Sequence, residues 1–579
     1  MPTVGTSKSR YLLLTSLLCC AAGVSSLRCG FSSGSGSGGS GGTNGGTGGN
    51  GAAGATGSGG MTPGMTGSGG TAGAGNPGTG GSNADGGPDA VGPGTGGKPM
   101  GTNYQYNGMF PNAPMAIAQK PGQLKYTKIV IHSQFLAESC SIADYNKDGI
   151  PDVSSGRIWY QGPDFKTQHP FRSGHGALPT TGNGPEINTG VSDDWADYPW
   201  DMNGDGWTDI VNVAQCDVNE ITDTNPKIGT VQVHASAVWY ENPGGDAVAG
   251  TPMWVAHQMH GDVRLEQHGL VDMNGDGYPE LLGACKGCTP PTTKGYYQGD
   301  PKNPAAPWVF HSVTVAYTFP FGGTGWLHGL GAGDVNGDGK PDLFERGGIW
   351  LSQGDPKNPT WNTTVCTGTN TPAGCGWIKE KTPLLPSGLY DGQPDGQGNK
   401  GASHIFAADM DMDGKADIVA ADWAHGVGLF WYKQGDNMKF TKYQFMGSSI
   451  ADAPADPAKW GAGFTEPHSL NVADMDGDGR PDVVAGKMRF AHPHGYGDPD
   501  SDGTPYLYVF KNVATPDART NAPITLKPVL VDGDPTKAAG TVDGGMGVGR
   551  QFSVGHVNTD GIMDICVGTK VGLAVFLGQ

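Results

Sequence analysis

Between residue 124 and the C-terminus the apolar residues come in short runs, and the runs recur in sets of four. Each set opens on a small-residue segment such as 329–333 (Gly-Leu-Gly-Ala-Gly), then passes through a polar loop into an apolar run such as 482–486 (Asp-Val-Val-Ala-Gly). The third run is often aromatic, as in Ile158-Trp159-Tyr160, Val238-Trp239-Tyr240 and Phe430-Trp431-Tyr432. A fourth, such as 307–311 (Pro-Trp-Val-Phe-His), leads to the next set. Short runs of this kind predict strands, and four short strands per unit predict a propeller blade.

The polar loop has a strict form, D-x-[DN]-x-D-G-x-x-[DE], and occurs seven times. The copies are Asp144/Asn146/Asp148/Asp152, Asp201/Asn203/Asp205/Asp209, Asp272/Asn274/Asp276/Glu280, Asp334/Asn336/Asp338/Asp342, Asp409/Asp411/Asp413/Asp417 and Asp474/Asp476/Asp478/Asp482, with a weakened seventh, His556/Asn558/Asp560/Asp564. Calcium takes six to eight oxygens, which a tight loop presents from positions one, three and five, with glycine at six for the turn, the carbonyl of seven and an acid at nine. An EF-hand closes with Glu at position twelve between helices; here strands flank the loop. The seven loops hold 22 of the 55 Asp and Glu, so seven calcium ions would bring the formal charge from −19 to −5. His556 replaces an acid, which marks the seventh loop as the one expected to stay empty, and Asp498/Asp500/Asp502 in blade six form an extra candidate site.

The last repeat ends at Gln579 after its third run, while 124–131 precedes the first loop with no blade of its own. Pairing the two would complete blade seven and remove the exposed edges of an open array. The expected fold is therefore all-β, a seven-bladed β-propeller spanning 123–579. These loops resemble the FG-GAP/VCBS repeat family, best known from the seven-bladed head of integrin α chains, over about residues 130–579. The stretch 329–339 and Trp239-Tyr240-Glu241-Asn242-Pro243 are also similar to the propeller part of aldos-2-ulose dehydratase and its bacterial relatives.

Ahead of the propeller, Lys8 and Arg10 precede an apolar run to Val24, about 14 residues where a membrane span needs about 20. Residues 1–29 thus read as a secretory signal, with Cys19, Cys20 and Cys29 leaving a lipoprotein signal open. Residues 30–122, dense in Gly, Ser and Thr, read as a disordered linker. A secreted or cell-surface location follows, including a bacterial envelope lipoprotein anchored through an N-terminal lipid. In that oxidising setting the close pairs Cys366/Cys375 and Cys285/Cys288 are expected to form disulfides. The net charge of −19 argues against nucleic acid.

Histidine recurs just ahead of four consecutive loops, at His268, His328, His404 and His468, with Glu138, Asp197 and Gln551 at the matching places of the other blades. First strands lie nearest a propeller axis, so these groups are candidates for one axial site that binds a polar ligand or a transition metal, for which imidazole suits Zn, Fe or Cu. The alternative is packing between blades. Arg264, Glu266, Trp326, Trp460, Glu466 and Arg550 are further candidates, whereas His492 and His494 read as surface loop. No P-loop is present, Gly-x-Ser-x-Gly occurs only within the Gly-rich tract, as in Gly38-Gly39-Ser40-Gly41-Gly42, and no Gly-x-Gly-x-x-Gly stands between an expected strand and helix as a dinucleotide fingerprint requires. Two functions are compatible with the sequence: a tethered module binding an extracellular polysaccharide, small sugar or protein, and a metal-assisted lyase, isomerase or hydrolase acting on a sugar.

Overall fold

Sandwiching a sheet between two others leaves its inner strands no solvent face, which is why the second run of most sets is apolar after its opening acid rather than alternating. In the computed structural model Asp482–Gly486 and Asp564–Thr569 are buried along their whole length, while the outer Thr525–Asp532 is mostly half-buried or exposed. The structure describes residues 117–172, 192, 194–225, 229–247, 253–261, 263, 265–285, 293–313, 328–345, 348–355, 358–361, 402–421, 423–447, 456–491 and 498–579. The signal, the linker to residue 116, Arg264, Cys288, Trp326, Cys366, Cys375, His492 and His494 lie outside the described residues.

Blade one runs outward from the axis as Ser141–Ala143, Asp152–Ser155, Ile158–Tyr160 and Gln168–Pro170, all antiparallel. Blades two, three, five and six repeat this order from their inner strands Ala196–Trp200, Gly269–Val271, Ile405–Ala408 and Leu470–Ala473. Among the described residues blade four shows three strands, Gly331–Gly333, Asp342–Glu345 and Gly348–Trp350, followed by a hairpin of Ser352–Asp355 with Asn358–Trp361. Blade seven takes its outer strand from the other end of the chain: Tyr126–His132 pairs with Gly572–Gly578, Ile129 opposite Val575.

The core divides in the same way. Seven clusters of buried apolar residues each lie between two adjacent blades, including one joining Ile142 and Val153 of blade one to Leu573 and Val575 of blade seven. Seven interfaces for seven blades is a closed ring. Its seam also carries a disulfide, Cys140–Cys566, with Cα atoms 5.8 Å apart at a sequence separation of 426. The expected pairs join cysteines close in sequence, whereas this bond joins residues that only closure of the ring makes neighbours. Cys285 is disulfide-bonded as well.

The polar loops join first to second strands. Their position-six glycines, from Gly149 to Gly561, all have φ between 83° and 87°, where a Cβ is strained. The position-nine acid acts as a clamp. Asp152 accepts the Tyr145 N–H (2.9 Å) on one oxygen and the Gly162 N–H, past the third strand, on the other (2.8 Å). The same two bonds recur at Asp209, Asp342, Asp417, Asp482 and Asp564. Glu280, one carbon longer, binds the Met273 N–H and the Asn274 amide instead.

Inside most loops, positions three and five bond to one another rather than facing a common point. Asn146 accepts the Asp148 N–H and returns its amide to the Asp148 carboxylate, both at 3.0 Å. Asn203 with Asp205 and Asn336 with Asp338 repeat the exchange, each at 2.9 and 3.2 Å. Asn274 accepts the Asp276 N–H (2.9 Å), and in loop seven Asn558 accepts the Asp560 N–H (2.8 Å). The other oxygen of each position-five acid is turned back to the position-seven N–H, as in Asp276 to Tyr278 and Asp560 to Ile562, both at 2.8 Å.

The six loops with a full set of acids or amides are therefore not alike. Among the described residues, three acids of one loop draw within 4.8 Å of one another only in loops five and six. These triplets are positions one, three and nine; in loops one to four position three is Asn, so only two of the three are acids. For Asn146, Asn203 and Asn336 to serve as ligands through Oδ1, that oxygen must give up its backbone N–H or share it with the ion.

Candidate functional site at the propeller axis

In a four-stranded antiparallel blade the first-to-second connection lies at one end of the ring, and the entry to the first strand and the second-to-third turn lie at the other. The carboxylate loops therefore occupy one end. Residues just before each inner strand, or just after each second strand, occupy the opposite one.

The register of the entry residues decides which of them meet. Counting back six positions from the first residue of each loop gives Glu138, Trp195, Glu266, His328, Ser403, His468 and Arg550, all buried. Arg550 of blade seven reaches across the axis: its guanidinium is bonded to Glu266 of blade three, lies 3.5 Å from Glu138 and stacks 4.0 Å over Trp195. Glu266 also meets His468 at 2.9 Å and His328 at 3.4 Å. The four histidines expected to act together are thus sorted by offset. His328 and His468, six positions ahead, enter the cluster; His404 and His268, five and four ahead, do not.

The third imidazole of the cluster comes from an element the sequence analysis passed over. His425 sits in the turn after the second strand of blade five, Asp417–Ala420, held by a Gly426 N–H to Trp423 carbonyl bond. Its Nε2 is 2.8 Å from His328 Nε2, and its Nδ1 faces Asp498 of the blade-six insertion at 3.6 Å. Glu266, His328, His425 and His468 each place a ligand atom within 4.8 Å of all the others. Lys294 fixes His328 from below, donating to the carbonyls of His328 (2.5 Å) and Gly329 (3.0 Å) while paired to Glu345 at 2.8 Å.

Burial alone would raise the Glu266 carboxyl, but Arg550, with His328 and His468, outweighs it and holds the group well below the usual range. Burial pushes His468 well down, against the pull of Glu266. Beside the cluster stands Glu466, with its backbone at φ 55° and neither carboxylate oxygen hydrogen-bonded. Burial pushes it up to about 8 despite Lys487, whose Nζ lies 3.8 Å away. Lys487 and Lys570, both from second-to-third turns, are lowered by burial against their partners Glu466 and Glu138.

The donor set fits a divalent transition metal. Ligand atoms about 2.0–2.1 Å from a tetrahedral zinc-type ion lie roughly 3.3 Å from one another, and the edges of this cluster are 2.8, 2.9 and 3.4 Å. Two groups must give way. Arg550 would turn from Glu266 toward Glu138, and Gln267 would have to rotate. Its oxygen accepts the Gly329 N–H (3.0 Å), so its amide donates to His468 Nδ1 (3.1 Å) and leaves the proton of that ring on Nε2, facing Glu266. Ligation through Nε2 requires the opposite tautomer.

Other expected site residues serve elsewhere. Asp197 is buried against Asn212 (3.0 Å) and Ser154 (3.3 Å), its carboxyl raised by burial and by Asp194. Gln551 spans the seam, bonded to both the N–H and the carbonyl of Cys140. Trp460 ends the short helix Asp456–Trp460, covered by Arg519 at 4.9 Å. In the insertion, Asp498 faces His425, and Asp500 lies 3.7 Å from Lys487, so two of its three acids are directed at the axial end. His268 and His404 line a small cavity of about 20 Å³ with Leu330 and Phe406, and none of their four ring nitrogens has a hydrogen-bond partner.

Burial pushes both of these rings down to about 3. Their folded values lie below the ordinary 6.5, so the stability they contribute is complete above that pH and is lost as pH falls from 6.5 toward 3, at about 1.4 kcal/mol per unit for each ring. Stability measured from pH 6.5 to 4 should fall less steeply in H268Q/H404Q than in the wild type at matched calcium. Parallel profiles would show that the rings protonate in place.

A family model described as FG-GAP-like repeat matches residues 272–345 and 409–485, the stretches that carry loops three, four, five and six. The chain thus carries FG-GAP-like repeats within a seven-bladed propeller. Among curated proteins none matches significantly. Solved structures that are similar include an Agrocybe aegerita lectin that recognises non-reducing terminal N-acetylglucosamine (14% identity, 71% of this chain, 86% of that chain, TM-score 0.33). The exotype rhamnogalacturonan lyase YesX (13%, 80% and 75%, 0.33) and the V. cholerae biofilm matrix protein Bap1 (11%, 81% and 82%, 0.28) are others. Likeness at this level says nothing about the ligand of this chain.

Proposed function

We propose that the protein is an exported, surface-tethered propeller that engages an extracellular carbohydrate or protein ligand through a divalent transition metal held at the axis by Glu266, His328, His425 and His468. The observation that carries this reading is the convergence of three imidazoles and a carboxylate, delivered by blades three, four, five and six to one buried point. Bound there, a metal would polarise a hydroxyl or carboxylate oxygen of the ligand. The chain's own residues would orient it: Arg550 and Lys570 offer cationic hydrogen-bond donors, and Asp498 steadies His425. Export and tethering rest on the signal-like N-terminus and the Gly-rich linker; no helix among the described residues is long and apolar enough to cross a membrane.

A second reading, a metal-assisted lyase, isomerase or hydrolase acting on a sugar, is favoured by Glu466. A buried carboxyl with no hydrogen-bond partner, an amine 3.8 Å away and a strained backbone is an arrangement that packing does not require. Product formation from acidic and neutral polysaccharides by the metal-loaded protein, lost in E466Q with ligand binding intact, would select the enzyme. Binding without turnover selects the module.

The carboxylate loops are proposed calcium sites. Apart from Asp417 Oδ2, which accepts both the Met410 N–H and the Trp431 indole N–H, each position-nine oxygen accepts one N–H and keeps a lone pair for an ion, and Asp411 and Asp476 each hold a buried oxygen with no partner. In loops one, two and four an arriving ion would break the amide bonds from Asn146, Asn203 and Asn336 to Asp148, Asp205 and Asp338 and take the freed carboxylate oxygens. In loop seven the His556 ring donates to the Ile562 carbonyl (3.0 Å), the position-seven oxygen a calcium would need, which leaves Asn558, Asp560 and Asp564 short of a full shell. Ions that bind only folded loops stabilise by mass action. A calcium-selective chelator should therefore lower Tm and calcium should restore it, with six sites filled; an unchanged melting curve in excess chelator would refute the assignment.

A further inference from the structure

Blades five and six depart from the others at two positions together. Their loops have Asp411 and Asp476 at position three, where the other five have Asn. On their third strands, just before the N–H that clamps position nine, stand Lys433 and Lys511; no other blade has a cation there. The two departures meet. Lys433 Nζ is bonded to Asp411 and lies 2.6 Å from Asp413, and Lys511 Nζ is bonded to Asp476 and lies 3.4 Å from Asp478. Each ammonium thus grips the position-three and position-five carboxylates, the side chains a calcium ion would use.

Charge follows the same rule. At positions one, three, five and nine, loops one to four carry three acids each, while loops five and six carry four acids facing one ammonium, so these groups sum to −3 in all six before Lys147, Lys340, Lys415 and Arg480 of the loops are counted. The ammonium does not satisfy the loop, however. Asp476, 6% exposed, still points Oδ1 into the loop without a partner, as does Asp411. In both loops the acids at positions one, three and nine bring oxygens within 4.8 Å of one another. An ammonium has three donors, whereas calcium takes six to eight oxygens.

We propose that Lys433 and Lys511 are tethered counter-ions seated in the cation position of loops five and six. Calcium enters these two loops only by displacing them, and the ring carries two classes of calcium site, a tight set and an exchangeable pair. The inference rests on the loops being calcium sites. The lysines hold the four acids together when calcium is scarce and compete with it when it arrives.

Calorimetric titration of the full chain with calcium, beside K433Q, K511Q and D411N/K433Q, tests this. The wild type is expected to show a weaker phase of two sites. Each Lys→Gln change should move one site to tighter binding by about tenfold or more, since ligand charge sets loop affinity, while lowering the Tm of the calcium-free protein. D411N/K433Q, which rebuilds an ordinary loop, should recover the calcium-free Tm. Single-class binding in the wild type, with neither affinity nor calcium-free Tm altered in K433Q and K511Q, overturns the proposal. Absence of any calcium binding by the wild type overturns the calcium assignment itself.

Discussion

Deleting residues 1–132 is expected to abolish cooperative unfolding of the whole ring, whereas deleting residues 30–97 should leave Tm unchanged. The first deletion removes the outer strand of blade seven, its ladder to Gly572–Gly578 and the Lys128–Asp532 ion pair at 2.8 Å. It also removes the strap before that strand, where Lys120, Gly122 and Gln123 donate backbone N–H groups to Gly561, Asp476 and Gln579 across blades six and seven. Blade seven would then end in an open edge and lose the contacts of Ile129 and Ile131 with the seam cluster. The Cys140–Cys566 disulfide secures the same seam from inside, and C140S/C566S should cost about 2–5 kcal/mol. Chemical denaturation of the three proteins checks the order of effects; equal midpoints for both deletions would mean that the N-terminal strand does not close the ring.

Replacing Glu266 by Ala should destabilise the protein by about 3–5 kcal/mol, because Arg550, buried and drawn across the axis, would lose the carboxylate it is bonded to. H425A acts differently. The carboxylate that faces this imidazole, Asp498, stands 3.6 Å away in an insertion, so its loss should leave Tm within a few degrees while weakening transition-metal binding by about a hundredfold or more. Opposite outcomes, with H425A unfolding the ring and E266A tolerated, would mean that the cluster is a structural knot centred on His425. Equal metal uptake by wild type and H425A would remove the metal from the account.

The fold was legible because the loop repeats with its glycine and acids in fixed places, and because 124–131 had no blade to join. The loops were legible as a pattern but not in their differences: Asn and Asp at position three look interchangeable in sequence, yet Asn146 closes onto Asp148 while Asp411 turns to Lys433. The site was legible only in part. His328 and His468 were singled out with His268 and His404, which look alike in sequence; His404 stands one residue nearer its loop, which turns its side chain to the other face, and His268 two residues nearer, which keeps the face but moves it along the strand toward the loop. Aligning the entries at six residues before the loop would have gathered Glu138, Glu266 and Arg550 with them. His425 gave no such signal, since it follows a second strand, and only the antiparallel course of the blade brings that turn to the axial end. The Cys140–Cys566 bond was hidden for a related reason: spacing favours neighbours, and ring closure makes neighbours of residues 426 positions apart.

The axial metal centre is tested most directly by diffraction. Crystals of the full chain equilibrated in turn with zinc, manganese, iron and copper salts should show, at the matching absorption edge, one anomalous peak bounded by the Nε2 atoms of His328, His425 and His468 and an oxygen of Glu266, with Arg550 turned toward Glu138 and the Gln267 amide reversed. No axial peak with any of the four metals, and Arg550 still bonded to Glu266, would contradict it.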